Sequence, residues 1–294
     1  MSKKYETWEF ALFSAHIHYY LPAIAWHDHY ELYEKWKSYH SARPFRSEQS
    51  WNCSNIEVLK AGRPKIICLY HLGFHAQIPR VMADCGIHFD ILMDRSVYQS
   101  QQEGFVQMQQ EMQRNGLDYR YLMSDDVQVL LKIRTSIQSG KHVLVFVDGN
   151  SGVSDTKDKK VAVNFLENII YVRVGIALIG YLLHVPIIPL THFSLKGRNH
   201  LMLGNEINRN LGEDRNSFIY RSMQKLYDFL AMVIRDKPWK WECWSYLHEL
   251  NCYNVQMPSK DDRGQKNNHE ALIKLRLNGR QGYFDREHFC YKWE

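Results

Sequence analysis

Residues 62–86 read GRPKIICLYHLGFHAQIPRVMADCG, and this stretch decides the fold. Gly62-Arg63-Pro64 breaks the preceding segment, because Pro64 lacks a backbone N–H and restricts the residue before it. The run Lys65–Tyr70 that follows is rich in Ile and Leu and bounded by turn residues, which is the pattern of a buried strand. Beyond it, Phe74, Ile78, Val81 and Met82 recur at helical spacing, and Gly86 supplies a helix stop.

The same cadence continues along the chain. Phe89–Met93 (FDILM) predicts a short strand, Gln102–Asn115 a polar helix ending at Gly116, and Asp125–Gln138 an amphipathic helix with Gly140 beyond its end. Val143–Val147 (VLVFV) is the clearest strand. A second unit begins at Val161. In it, Ile169–Leu183 (IIYVRVGIALIGYLL) predicts an apolar helix of about four turns, in which Gly175 and Gly180 permit close approach to a neighbour. Pro186–Leu190 (PIIPL) is another buried strand, and Ser217–Asp236 is a long helix that Pro238 stops. Strands alternating with helices specify an α/β fold, a central, mostly parallel sheet flanked by helices.

Composition changes at both ends divide the chain into three segments. Residues 1–50 are helical and aromatic, 51–250 form the α/β domain, and 251–294 form an appendage. Within the last, Met257–Asn268 (MPSKDDRGQKNN) is loop-like, and Ala271–Leu277 with Gly282–Trp293 make a small C-terminal hairpin joined at Asn278-Gly279.

The 294-residue chain is 45% hydrophobic and 23% charged, which excludes a disordered, collagenous or low-complexity protein. Thirty-seven Lys and Arg against 32 Asp and Glu give a net charge of +5. That excess is too diffuse to make nucleic acid a partner, though it permits contact with an anionic surface. Six cysteines without a C-x-x-C pair argue against a disulfide framework or a zinc site and for a reducing cytoplasm. The N-terminus MSKKYETWEF has no signal-peptide core. Phe10–Trp26 (FALFSAHIHYYLPAIAW) falls short of the roughly 20 apolar residues of a spanning helix. It reads either as a helix pair packed on the domain or as an interfacial segment with its aromatics at headgroup depth. The expected location is cytoplasmic, with peripheral contact at the inner face of the cell membrane.

Three strand exits carry the chemistry, because open α/β sheets bind ligands outside the carboxyl ends of their strands. After KIICLY come His71 and, four residues on, His75, whose rings would share a face if the stretch were helical. A single His at such a place is more often a satisfied structural residue; a pair beside Gly73 shifts the reading toward function. After VLVFV come Asp148, Gly149 and Asn150, where glycines let the backbone approach a ligand and present N–H groups. After FDILM come Asp94 and Arg95, the latter suited to phosphate or carboxylate through its planar fork.

Together these exits resemble the lysophospholipid acyltransferase superfamily, and within it the late acyltransferases of lipid A, over roughly residues 60–250. HLGFHA matches the His and Gly of the family's first motif at His71 and Gly73. VFVDGNSG resembles its third motif, with Asp148 and Gly149 at the polar end, and VPIIPL (Val185–Leu190) resembles its fourth. Arg95 corresponds to its basic residue after the second strand, and RDKPWKWECW resembles its Pro–Trp–Trp segment. The resemblance implies a glycerolipid acyltransferase-like fold and acyl or aminoacyl transfer from a thioester on an acyl or peptidyl carrier protein or on coenzyme A. The acceptor is then a hydroxyl or amine of a lipid or small metabolite, and no metal or tightly bound cofactor is needed. His71 is the implied general base. Backbone N–H groups near Gly149–Gly152, Asn150 among them, stabilise the oxyanion, and Arg95 holds an anionic group.

One position departs from the family. The acid that should stand five residues after His71 is Ala76, with Gln77 beside it. Gln77 can fix a tautomer but cannot neutralise an imidazolium. Three outcomes stay open: Asp148, Asp94 or Asp84 folds over to His71, His75 shares the proton work, or the chain is a non-catalytic relative that binds an acyl group, a lipid or a partner. A metal hydrolase built on His71 and His75 lacks the Glu of the H-E-x-x-H pattern.

Overall fold

The computed structural model describes residues 7–41, 50–114, 116–117, 119–149, 159–250 and 269–294. In chain order the elements are α1 (Trp8–Tyr20), α2 (His29–His40), β1 (Trp51–Asn52), α3 (Val58–Ala61), β2 (Ile66–Leu69), α4 (Ile78–Asp84) and β3 (Phe89–Met93). Then come α5 (Arg95–Ser100), α6 (Gln102–Arg114), β4 (Tyr121–Met123), α7 (Val129–Gln138), β5 (His142–Phe146), β6 (Lys160–Phe165) and β7 (Asn168–Arg173). The last are α8 (Gly175–Leu183), β8 (Ile187–Leu195), β9 (Arg198–Leu203), α9 (Arg215–Ile234), β10 (Leu272–Leu277), β11 (Arg280–Asp285) and β12 (Cys290–Trp293). The protein is α/β, with a mostly parallel seven-stranded sheet flanked by helices and a small C-terminal antiparallel sheet.

The chain divides into two compact units. One comprises Ala42–Val161 and Val172–Leu230 and holds the large sheet, ordered β1-β9-β8-β2-β5-β3-β4. Strands β8, β2, β5, β3 and β4 run parallel, β9 is antiparallel to β8, and β1 is parallel to β9. All four residues of β2 are buried, as the apolar run requires of a strand hydrogen-bonded on both sides. One sheet face packs on α4 and α6. Met82 of α4 and Met108 and Met112 of the otherwise polar α6 meet Ile67, Leu69 and Leu144 there.

The other unit comprises Met1–Ser41, Ala162–Tyr171 and Ala231–Glu294, so the two chain ends share it. Thr7 caps α1, its side chain accepting from the Phe10 N–H at 3.3 Å. Phe10, Phe13, Ile17 and Tyr20 of α1 are buried within this unit. Trp8 Nε1 donates to the Arg276 carbonyl at 2.8 Å, joining α1 to β10. Trp241 and Trp244, from the Pro–Trp–Trp segment, are both buried, with ring centroids 4.9 Å apart. Among the described residues no helix is long and apolar enough to cross a membrane.

Several boundaries differ from the sequence reading. Ile169–Leu183 is not one helix: its first part belongs to β7, and α8 begins at Gly175. Ile170 and Val172 are buried while Ile169 is exposed, a period of two that a strand satisfies and a helix does not. The Asp125–Gln138 helix starts only at Val129, because Asp126 Oδ1 accepts from the Gln128 N–H at 2.8 Å and holds a turn. The C-terminal hairpin turns at Asn278 and Gly279, both at positive φ, and Gly282–Trp293 spans two strands, β11 and β12. Met257–Asn268 lies outside the described residues.

Candidate active site

The sheet register brings two of the strand exits together. β2 and β5 pair in parallel with Leu69 opposite Phe146, so the second residue past each strand places His71 beside Asp148. The Asp148 side chain has no solvent exposure and that of His71 retains 24%. Asp148 Oδ1 lies 2.8 Å from His71 Nδ1, and Oδ2 accepts from the His71 backbone N–H at 3.0 Å. With Asp148 as the carboxylate, which can only accept, Nδ1 carries the proton and the in-plane lone pair resides on Nε2. A base oriented by a buried carboxylate is the arrangement that supports proton abstraction and then stabilises the imidazolium.

The surrounding side chains hold this pair. Tyr70 is buried and donates to the Leu226 carbonyl at 2.8 Å; burial and then the neighbouring Cys68 and Asp148 push its phenol well above the ordinary range. The Phe146 ring lies 4.7 Å from His71 and 5.5 Å from His75. His71 and His75 meet edge to face at 5.1 Å. They do so across a loop, not along a helix: Gly73 takes a φ of +50°, and His75–Gln77 is a 3-10 turn. At Gly149 an added Cβ would stand 3.4 Å from His71 Cε1, in van der Waals contact with the ring.

The remaining predicted residues fall as follows. Ala76 is exposed on the 3-10 turn, and the carboxylate expected there is supplied by Asp148 instead. Gln77 is half-buried in the same turn, its backbone N–H donating to the Phe74 carbonyl at 2.9 Å. Asp94 caps α5, accepting from the Ser96 N–H at 2.7 Å, and Asp84 ends α4. Arg95 sits at the exit of β3, one strand beyond β5, where its Nε donates to Asp125 Oδ2 at 2.9 Å on the surface. It is therefore not brought to the His71–Asp148 pair. Asn150 lies outside the described residues, as do residues 151–158.

Sequence reasoning missed His192. It lies in β8, is 6% exposed, and its Nε2 accepts from the Phe74 backbone N–H at 3.2 Å. The signal was present, a His three residues after PIIP in a strand beside β2, but nothing local distinguished it from a core histidine. No protein-family model matches this sequence, and no curated protein matches it.

Proposed function

We propose that this protein is an acyl or aminoacyl transferase of the lysophospholipid acyltransferase type, with a glycerolipid acyltransferase-like domain. It moves the acyl group of a carrier-protein or coenzyme A thioester to a hydroxyl or amine on a lipid or small metabolite. The observation that supports this most strongly is the buried Asp148 carboxylate 2.8 Å from Nδ1 of a histidine at the exit of the central strand. It supplies the function of the acid missing at Ala76.

His71 Nε2 takes the acceptor's proton as the acceptor oxygen or nitrogen attacks the thioester carbonyl carbon. Asp148 holds the ring and stabilises the imidazolium, and backbone N–H groups from Gly149 onward receive the oxyanion. The C–S bond then breaks, and the imidazolium returns the proton to the departing thiolate. His75 borders the reacting ring, and Arg95 attracts an anionic part of donor or acceptor from the neighbouring strand exit. Neither a metal nor a tightly bound cofactor takes part in these steps. A carrier protein or coenzyme A presents the donor thioester, and the protein works in the cytoplasm or at the inner face of the membrane.

The test is intact-mass measurement of acyl carrier proteins, and thiol release from acyl-coenzyme A, with the purified full-length chain and a panel of hydroxyl and amine acceptors. Transfer is expected with the unaltered protein and none above background with His71→Ala. Undiminished transfer by His71→Ala would remove the imidazole from the chemistry. Donor binding by the unaltered protein without any transfer would assign the chain to the non-catalytic reading.

A further inference from the structure

From the hydrogen bond between the β8 side chain and the His71–His75 loop, we infer that His192 is a positioning residue that anchors this loop, opposite Asp148. Its expression in turnover rests on the transferase reading above; its expression in loop structure does not.

β2 lies between β5 and β8, so the chain leaving β2 has a neighbour on each side. Asp148 reaches it from the β5 side. On the β8 side, the parallel ladder ends with Cys68 paired to Pro189, and His192 lies three residues further along β8. The loop's own backbone bonds close it on itself: the Leu72 N–H donates to the Tyr70 carbonyl at 2.7 Å and the His75 N–H to the Leu72 carbonyl at 3.0 Å. Two further backbone donors are held by side chains from other strands. These are the His71 N–H, bound to Asp148 at 3.0 Å, and the Phe74 N–H, bound to His192 Nε2 at 3.2 Å.

A backbone N–H donating to Nε2 requires the lone pair on that nitrogen, which fixes the neutral ring with its proton on Nδ1. The ring is held between Trp51 and Phe74, with centroids at 5.6 and 5.7 Å. His192 therefore combines a packing role with an acceptor role, and substitutions can separate them. His192→Phe keeps an aromatic ring between Trp51 and Phe74 but offers Phe74 no acceptor. His192→Gln gives up the ring and retains an acceptor oxygen. If packing alone mattered, Phe would be the better replacement; if anchoring matters, Gln is.

Four readouts decide it in the whole chain. In the unaltered, nitrogen-15-labelled chain, a through-bond coupling between the Phe74 amide nitrogen and His192 Nε2 is expected, and its absence overturns the proposal without any variant. In His192→Phe, the Phe74 amide should exchange about tenfold faster or more, the consequence of losing one hydrogen bond. The low-field Nδ1 proton of His71 should broaden with it, while His192→Gln keeps both within about threefold of the unaltered chain. With an active donor and acceptor, His192→Phe should lower kcat about tenfold or more with little change in KM, because displacement of a reacting group reaches about a hundredfold. His192→Gln should recover most of that loss. A folded His192→Phe with unchanged Phe74 exchange and an unchanged His71 proton overturns the inference whether or not transfer occurs. Absence of transfer in the unaltered chain refutes the function, while the first three readouts still judge His192.

Discussion

At position 148 a carboxylate with no solvent contact accepts from both the backbone and the ring of His71, so its replacement should cost far more than loss of a surface acid. Asp148→Asn presents either an amide donor against the Nδ1 proton or a neutral oxygen that cannot balance an imidazolium. We expect kcat/KM to fall by about three to four orders of magnitude, the scale seen when an orienting carboxylate is amidated. A thiol-release assay checks this, and a fall below tenfold would separate Asp148 from the proton transfer. Ala76→Glu, by contrast, adds a carboxylate on an exposed 3-10 turn whose expected role is already filled. It should change turnover by less than about threefold, since surface charges have small effects. His71 and Asp148 were each legible as polar residues at strand exits, but their pairing was one of three possibilities. What decides it is the place of β5, not β3, beside β2, and strand order is a non-local property. Asp94 had the same local appearance and is spent capping α5. Arg95 was legible as a cation at a strand exit, yet its partner Asp125 comes from beyond another strand.

Among the elements, the strands with continuous apolar runs were legible because burial on both faces leaves no room for polar residues. Ile169–Leu183 misled for the same reason: an unbroken apolar run fits a strand and a helix alike. The glycines there have unequal roles. At Gly180 an added Cβ would stand 2.8 Å from Ile187 Cδ1 and 3.3 Å from the Val185 carbonyl, whereas at Gly175 nothing lies within 4 Å. Gly180 thus sets how closely α8 approaches the start of β8, the strand that carries His192. Gly180→Val should destabilise by about 1–3 kcal/mol through overpacking. Gly175→Ala, at the first residue of α8, should be neutral or stabilising by up to about 1 kcal/mol. Urea unfolding of the two variants side by side measures the contrast. Equal midpoints would mean that α8 does not depend on close approach at Gly180.

For the molecule as a whole, the strongest built-in response is to acid, and it arises in the unit that contains α1, α2 and the C-terminal sheet. His16 and His29 have no solvent exposure. His16 Nδ1 donates to the Trp244 carbonyl at 2.6 Å, and burial lowers this imidazole to about 3. His29 Nε2 donates to the Ile24 carbonyl at 3.1 Å, and its Nδ1 accepts from the Ser14 hydroxyl at 2.7 Å. Ser14 in turn accepts from the Arg286 guanidinium at 2.6 Å. A proton on His29 would place a second cation one residue from the Arg286 guanidinium, and burial together with this charge holds the group at about 4. His18 and His248 are lowered in the same direction, both mainly by burial. For His16 and His29 the unfolded chain takes up a proton near the ordinary histidine value of about 6.5, and the folded chain only near 3 to 4, so unfolding binds protons throughout the interval. Stability is therefore full above about 6.5 and falls as the pH drops toward 4, at about 1.4 kcal/mol per group per pH unit. His16 and His29 together cost about 4 kcal/mol at pH 5. The protein's positive net charge adds repulsion of the same sign as its carboxylates protonate at lower pH. Asp285 is held below the ordinary carboxylate range, its burial outweighed by bonds from His288 and Lys292, so its loss comes below the histidine interval. Urea unfolding followed by tryptophan fluorescence, which senses Trp36, Trp241 and Trp244 in this unit, should show the midpoint falling steadily between pH 6.5 and 5. His29→Gln should flatten that slope by about one proton. A midpoint constant down to pH 5 would mean that these histidines are not held neutral in the folded chain.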